Sequence, residues 1–514
     1  MTTDDQRPVT AFTRFGLGPR PGDLAKTPDP REAILSELTA PEGAMLNDPA
    51  LPRTPEALQA VFADQERKRL ERERQVAENF IRSGMPAPSV AALLTPPPSN
   101  GAAALLNCAK PPAADEAMNG ASASGASMSG GANMMMSSDA KPAPPPEQQI
   151  FRAEAAARLS RALAAPVGYV ERLVSFWSNH FCVSIAKSNI AHAAAGAFER
   201  EAIRPYVTGR FADMLRAVEQ HPAMLNFLDN AQSIGPDSQA GRNRNRGLNE
   251  NLAREILELH TMGVGSGYTQ SDVTELARIL TGWTIVGREG KLGEPGAFAF
   301  NPNAHEPGRA TVLGRVYAEG GLAQGEAALA DIARQRAVAD HIAGKFVRHF
   351  VADEAPAPLV AKLAKTFRDS DGDLGLMARG LIEDDAAWRP PATKMRNPWE
   401  FVVASYRAFA RKADDPGPAL NALNLLGMPL WRPAGPNGFA DEAGAWASPE
   451  GMKMRVELAA QFARQTKEGP NPVALVDDVL GPTVSAPTRE AVTRAESREQ
   501  AVALLLMSPE FQRR

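Results

Sequence analysis

The chain has 514 residues, 44% hydrophobic and 23% charged, an ordinary globular balance that can bury a large core. Its net charge of -4 and pI near 6.1 supply no basic field, which argues against nucleic acid as a partner. Two cysteines, Cys108 and Cys182, argue against a disulfide framework, and Cys182 at the end of an apolar helix reads as a small buried hydrophobe.

The opening residues, MTTDDQRPVTAFTRFGLGPRPGD, contain no apolar core of the secretory type, and the expected compartment is the cytoplasm. No run of eighteen or more apolar residues occurs, so no membrane span is expected. From Pro8 to Gly84 short helices alternate with Pro-rich turns. Residues 64–79, DQERKRLERERQVAEN, form a charged helix in which Arg67 and Glu71 stand one turn apart.

Residues 86–146 are dominated by Pro, Ala, Gly, Ser and Met, a composition that buries too little apolar surface to offset the entropy of ordering. A disordered insertion is expected there. Met134, Met135 and Met136 are soft metal donors by type, but adjacent residues share no face and no His or Cys stands near. The domain plan is therefore 1–85, a helical segment packing on the main body; 86–146, the insertion; and 147–514, the main helical body.

From Glu147 the pattern is helical almost throughout. In VGYVERLVSFWSNHF two stripes recur at helical spacing, Tyr169–Leu173–Phe176–His180 and Val170–Val174–Trp177–Phe181, which predicts a helix packed on two sides. Helices are predicted at 249–261 and 270–280, then near 333–350, 357–368, 373–383, 397–412, 450–465 and 497–506. One short hairpin is predicted between Gly296 and Tyr317, with AFAF and ATVLGRVY as its arms. The fold class is mainly α: a large multi-helical body with a small β-hairpin.

The segment richest in polar chemistry is NENLAREILELHT, Asn249 to Thr261. At 100° per residue Glu250, Asn251, Arg254, Glu255 and Glu258 fill one arc of roughly 140°, opposite Leu252, Ile256 and Leu259. His260 projects on the apolar side, and Gly263 suits the helix end. The arc is either a solvated face laced by Glu250–Arg254 and Arg254–Glu258 ion pairs or the wall of a polar cleft. Thr269 and Asp272 then form a T-x-x-D helix start. The glycines of GVGSG follow a helix and lack a P-loop lysine, so they carry no phosphate motif. No two of the seven histidines show H-E-x-x-H spacing, and no G-x-S-x-G elbow occurs, so neither a metal nor any other cofactor is specified. His305 lies in a turn beside Glu306, where functional residues are common.

Several strings together are similar to one family. They are RFGLGPRPGD, FWSNHF, HPAMLNFLDN, the long NENLAREILELHTMGVGSGYTQSDVTELARILTGWT, HEPGRATVLG, K-x-R-N-P-W-E-F at Lys394 to Phe401, PLWRPAGPNGF, and SPEF near the end. The chain resembles the bacterial domain-of-unknown-function family 1800 over nearly its whole length except the insertion. The resemblance assigns no settled activity. It implies a partner from domain-of-unknown-function family 1501, whose members resemble alkaline-phosphatase-type proteins, and an exported pathway at odds with the missing signal. The family's polar positions fall on Asn179, His180, Asn249, Glu250, Asn251, Arg254, Glu255, Glu258, His260, Asp272, Thr281, Gly282, Trp283 and His305. The chain departs from the family's H-D-x-G-x-K string, with Glu306 for Asp and Ala310 for Lys.

Two functions follow as expectations. One is a hydrolase with Glu250, Arg254, Glu258, His260, His180 and His305 as catalytic groups, and Asn179, Asn249, Asn251, Glu255, Asp272 and Trp283 binding the ligand. The other is a non-catalytic binding or chaperone-like protein. On the family motif, the helix Asn249 to Thr261 is expected to turn its polar arc into protein and not solvent; convergence of these residues on one closed cavity favours the first function, an exposed patch the second.

Overall fold

The computed structural model describes residues 4–40, 43–82, 143–242, 247–389, 391–465 and 470–514. Cys108, the Met134–Met136 run and the expected insertion up to residue 142 lie outside them. Contacts divide the chain into two units, residues 1–64 with 145–514, and residues 65–144. The helix Thr54–Arg82 runs on into the second unit. There it is a solvated rod with Arg67–Glu71 at 3.0 Å and Arg74–Glu78 at 2.9 Å, pairs worth a few tenths of a kcal/mol each (~0.3–0.5).

The first unit is a stack of helices around Tyr169–His180, where both apolar stripes are buried, with Trp177 and Val174 fully so. The N-terminal segment is part of this core. Phe15 packs against Tyr169 at 6.3 Å and Trp388 at 4.8 Å between ring centroids. Helices Phe211–Glu219, Gln270–Ile279 and Arg336–Phe350 complete the larger core. A second core joins Pro398–Ala408, Pro449–Gln465 and Arg498–Met507. Thr269 and Asp272 form the reciprocal cap expected of them.

The strands differ from the expected single hairpin. AFAF does not pair with ATVLGRVY. Phe298–Phe300 pairs antiparallel with Trp283–Ile285, while Ala310–Val312 pairs with Arg315–Tyr317. The physical reason is the Leu313–Gly314 turn, in which both residues have positive φ, 51° and 76°. That geometry matches the twist of a two-residue hairpin, so ATVLGRVY closes on itself.

The helix at 249–261 also departs from a regular wheel. Asn251–Glu255 is α-helical, but Ile256–Thr261 is a π-turn, with the Thr261 hydroxyl donating to the Ile256 carbonyl. A π-turn holds an extra residue, so the 100° wheel fails beyond Glu255, and His260 is fully buried. The chain leaves this turn at Gly263, at φ +90°, where an added Cβ would stand 2.8 Å from His341 Nδ1. Gly263→Ala is expected to cost about 1–3 kcal/mol from the backbone conformation alone. Denaturation midpoints check this, and an unchanged midpoint contradicts it.

Candidate functional site

The histidines of the expected site fall in two places. His180 and His260 come together in the core with a third, His341, which the sequence did not single out. The His180 ring lies 6.4 Å from that of His260 and 6.3 Å from that of His341. His180 Nδ1 accepts from Lys345 Nζ at 3.0 Å, so its Nε2–H donates to the His260 carbonyl at 3.0 Å. His260 Nδ1–H donates in turn to Glu219 Oε1 at 2.8 Å, both residues being buried. Burial, then the Lys345 charge, push His180 well below the ordinary histidine range and His341 down to about 4. Among the described residues no three His, Cys, Asp or Glu side chains are arranged to hold a metal ion.

His305 makes its contacts elsewhere. Its Nδ1–H donates to the Thr281 carbonyl at 3.0 Å, and its ring packs on Phe300 at 5.1 Å. Glu306 is buried beside it, accepting from the Asp237 amide at 2.9 Å with Arg278 at 3.4 Å. Trp283 is fully buried against Gly325. Asp272 accepts from the Leu313 amide at 2.6 Å, tying its helix to the second hairpin.

The polar arc is half exposed rather than sunk into a cavity. The Glu250, Arg254 and Glu258 side chains are 31%, 37% and 25% exposed. Glu250 accepts from the Thr274 hydroxyl at 2.7 Å, Gln270 at 2.8 Å and Arg254 at 3.2 Å; the first two hold its carboxyl below the ordinary range. Glu255 is pushed upward by burial. Asn249 caps the Asn251 amide at 2.9 Å, and Asn251 itself is exposed. Ion pairs this wet contribute little, so Arg254→Ala is expected to cost below about 1 kcal/mol in chemical denaturation. A loss of several kcal/mol would mean that the arc works as a buried unit.

Of the residues expected from the sequence, Asn179 alone lines a cleft walled by Trp399, Met428 and Trp431. Its wall is the segment from Pro429 to Phe439, pinned to the end of the Tyr169–His180 helix and the residues just after it. Asn179 donates to the Phe439 carbonyl at 2.9 Å and accepts from its amide at 2.8 Å. Ser184 donates to the Pro433 carbonyl at 2.9 Å, and the Ile185 amide to the Trp431 carbonyl at 2.9 Å. Trp431 is held at φ +49°, a conformation that bulky residues rarely adopt and that costs of order 1–3 kcal/mol. Its indole N–H donates to Glu199 Oε2 at 3.2 Å.

Behind this wall lies a buried ion-pair network. Arg204 grips Glu171 with two bonds of 2.9 Å and approaches Glu199 at 3.0 Å. Arg158 reaches Glu199 at 3.3 Å, and Arg161 lies 3.5 Å from Glu171. Burial works to raise the Glu199 carboxyl, but Arg158 and Arg204 outweigh it and hold it below the ordinary range. On the opposite wall His349 Nε2 accepts from Arg172 at 3.2 Å, so its Nδ1–H donates to Asp441 at 2.9 Å. Arg172 also pairs with Glu400 at 3.0 Å, as does Arg514 at 2.7 Å. Burial opposes these charges, yet they hold Glu400 down at about 2. Burial pushes His349 down to about 4 and the Cys182 thiol up to about 12.

Arg158, His349, Trp399, Trp431 and Asp441 were not among the expected site residues. The signal was present for two of them, since Trp399 and Trp431 sit inside the K-x-R-N-P-W and PLWRPAGPNGF strings. Together the fold and the cleft define a large helical protein with an aromatic-walled cleft set against buried ion pairs. The chain belongs to the family described as protein of unknown function (DUF1800), whose model matches residues 10–513. No curated protein and no solved structure matches it. Among the described residues no helix is long and apolar enough to cross a membrane.

Proposed function

We propose that the protein is a binding protein whose small-molecule ligand seats in the Trp399–Trp431 cleft. The state of the titratable groups lining the cleft and behind its wall carries this reading. Both nitrogens of His349 are engaged, the Cys182 thiol is held protonated, and Glu199, which accepts from Ser178 at 3.2 Å, is kept ionised by two guanidinium groups. A general base or activated nucleophile needs a pKa near the working pH and a free lone pair. A concave apolar site with a few fixed polar groups needs neither. The strained Trp431 supports the same reading, because strain of this kind gathers at ligand clamps.

The test is a thermal-shift screen of small metabolites against the wild type and Leu430→Trp, which narrows the cleft. Hits that stabilise the wild type and not the variant support the reading. A hit that is consumed on incubation, with product released, returns the protein to the hydrolase expected from its residue types. The family-1501 partner belongs to this reading as the protein such a binder would serve. Co-expression and co-purification test that pairing.

A further inference from the structure

We propose that the cleft selects ligands bearing a carboxylate on an apolar body, and that Arg158 is the residue that reads the carboxylate. This rests on the binding reading above and gives it a ligand class. Arg158 is buried, its side chain 9% exposed. Its guanidinium carbon lies 4.6 Å from the ring centre of Trp399 and 5.5 Å from that of Trp431. The aromatic rings therefore occupy its flanks, and Nε faces Glu199. Among the described residues its two terminal nitrogens make no hydrogen bond, and Arg158 lines the cleft. A guanidinium carries five donors in a rigid fork. A planar carboxylate satisfies two of these donors in parallel.

The charge balance points the same way. In the network behind Trp431 three guanidinium groups, Arg158, Arg161 and Arg204, face two carboxylates, Glu171 and Glu199. The opposite network holds Arg172, Arg514, Lys394 and the buried Arg396 and Arg455 against Glu400, Asp353 and Asp441, but none of those cations lines the cleft. One positive charge is thus left over on the Arg158 side, matching a single carboxylate. The apolar body has Val183, Leu423, Met428 and Leu430 to pack against.

Calorimetric titration of the full chain with 2-naphthoate and with the uncharged, equally planar 2-naphthamide tests the proposal. The acid should bind at least about tenfold more tightly, as expected for hydrogen bonds to a charged partner. Arg158→Gln should bring the two affinities together, while Glu199 keeps its pair with Arg204. Arg158→Lys, which keeps the charge beside Glu199 but loses the fork, should retain part of the preference and guards against a glutamine variant that does not fold. Equal affinities in the wild type would overturn the carboxylate inference and leave the binding reading intact. A preference undiminished in both variants would show that another residue reads the charge, and would overturn the role of Arg158. Failure of both compounds, with only carboxylate-free hits in the thermal-shift screen, would also overturn the inference. A screen with no hits at all would defeat the binding reading itself.

Discussion

Replacing Arg204 by alanine should lower the free energy of unfolding by about 3–5 kcal/mol. Arg204 is fully buried and donates to Glu171 twice, to Glu199, and to the Ala44 carbonyl at 2.9 Å. Alanine would leave Glu171 with the more distant Arg161 and Glu199 with Arg158. Both carboxylates would then be underpaired in a low-dielectric interior, where an uncompensated charge is expensive. Chemical denaturation of wild type, Arg204→Ala and Arg254→Ala makes the comparison internal, because both arginines pair with two glutamates and differ mainly in burial. A loss below about 1 kcal/mol for Arg204→Ala would mean that water enters the network and screens it.

Stability should also fall steeply as the pH drops from about 6.5 towards 4. His341 and His349 sit at about 4 in the folded protein, pushed down chiefly by burial, and His180 is depressed as well. An unfolded histidine titrates near 6.5, so between these values the unfolded chain holds more protons and acid favours it. Each such group contributes a slope of about 1.4 kcal/mol per pH unit. By pH 5 His341 and His349 together account for roughly 4 kcal/mol. The depressed carboxyls of Glu400 and Asp441 act in a separate window, since their contribution is lost only below the ordinary carboxylate range. Denaturant midpoints at pH 7.5, 6 and 5 provide the measurement, with His341→Gln expected to flatten the profile by one proton. A profile flat from pH 7.5 to 5 would show that these imidazoles are solvated.

Much of the helical framework was legible because it is written locally. The Tyr169–His180 helix follows from two stripes at a 3.6-residue period, and the Thr269–Asp272 cap from four consecutive residues. The positive φ of Gly263 follows from its place after a helix. The arc of Asn249 to Glu258 was legible as a helix face but not as half exposed, because spacing fixes direction and not what lies opposite. The pairing of AFAF with Trp283–Ile285 escaped because a tight turn inside ATVLGRVY competes with the longer hairpin.

The sequence by itself determined the family, the helices and their apolar faces, since periodicity and turn chemistry act between near neighbours. Only the tertiary structure decided which polar residues share an environment. Asn179 meets Phe439 across 260 positions, and Trp431 donates to Glu199 across 232. Glu171, Arg158 and Arg204 look in sequence like the solvated charges of any amphipathic helix. They become a buried network because the helices carrying them pack together and remove the water. The charge left beside the cleft is a property of that packing, and no local pattern encodes it.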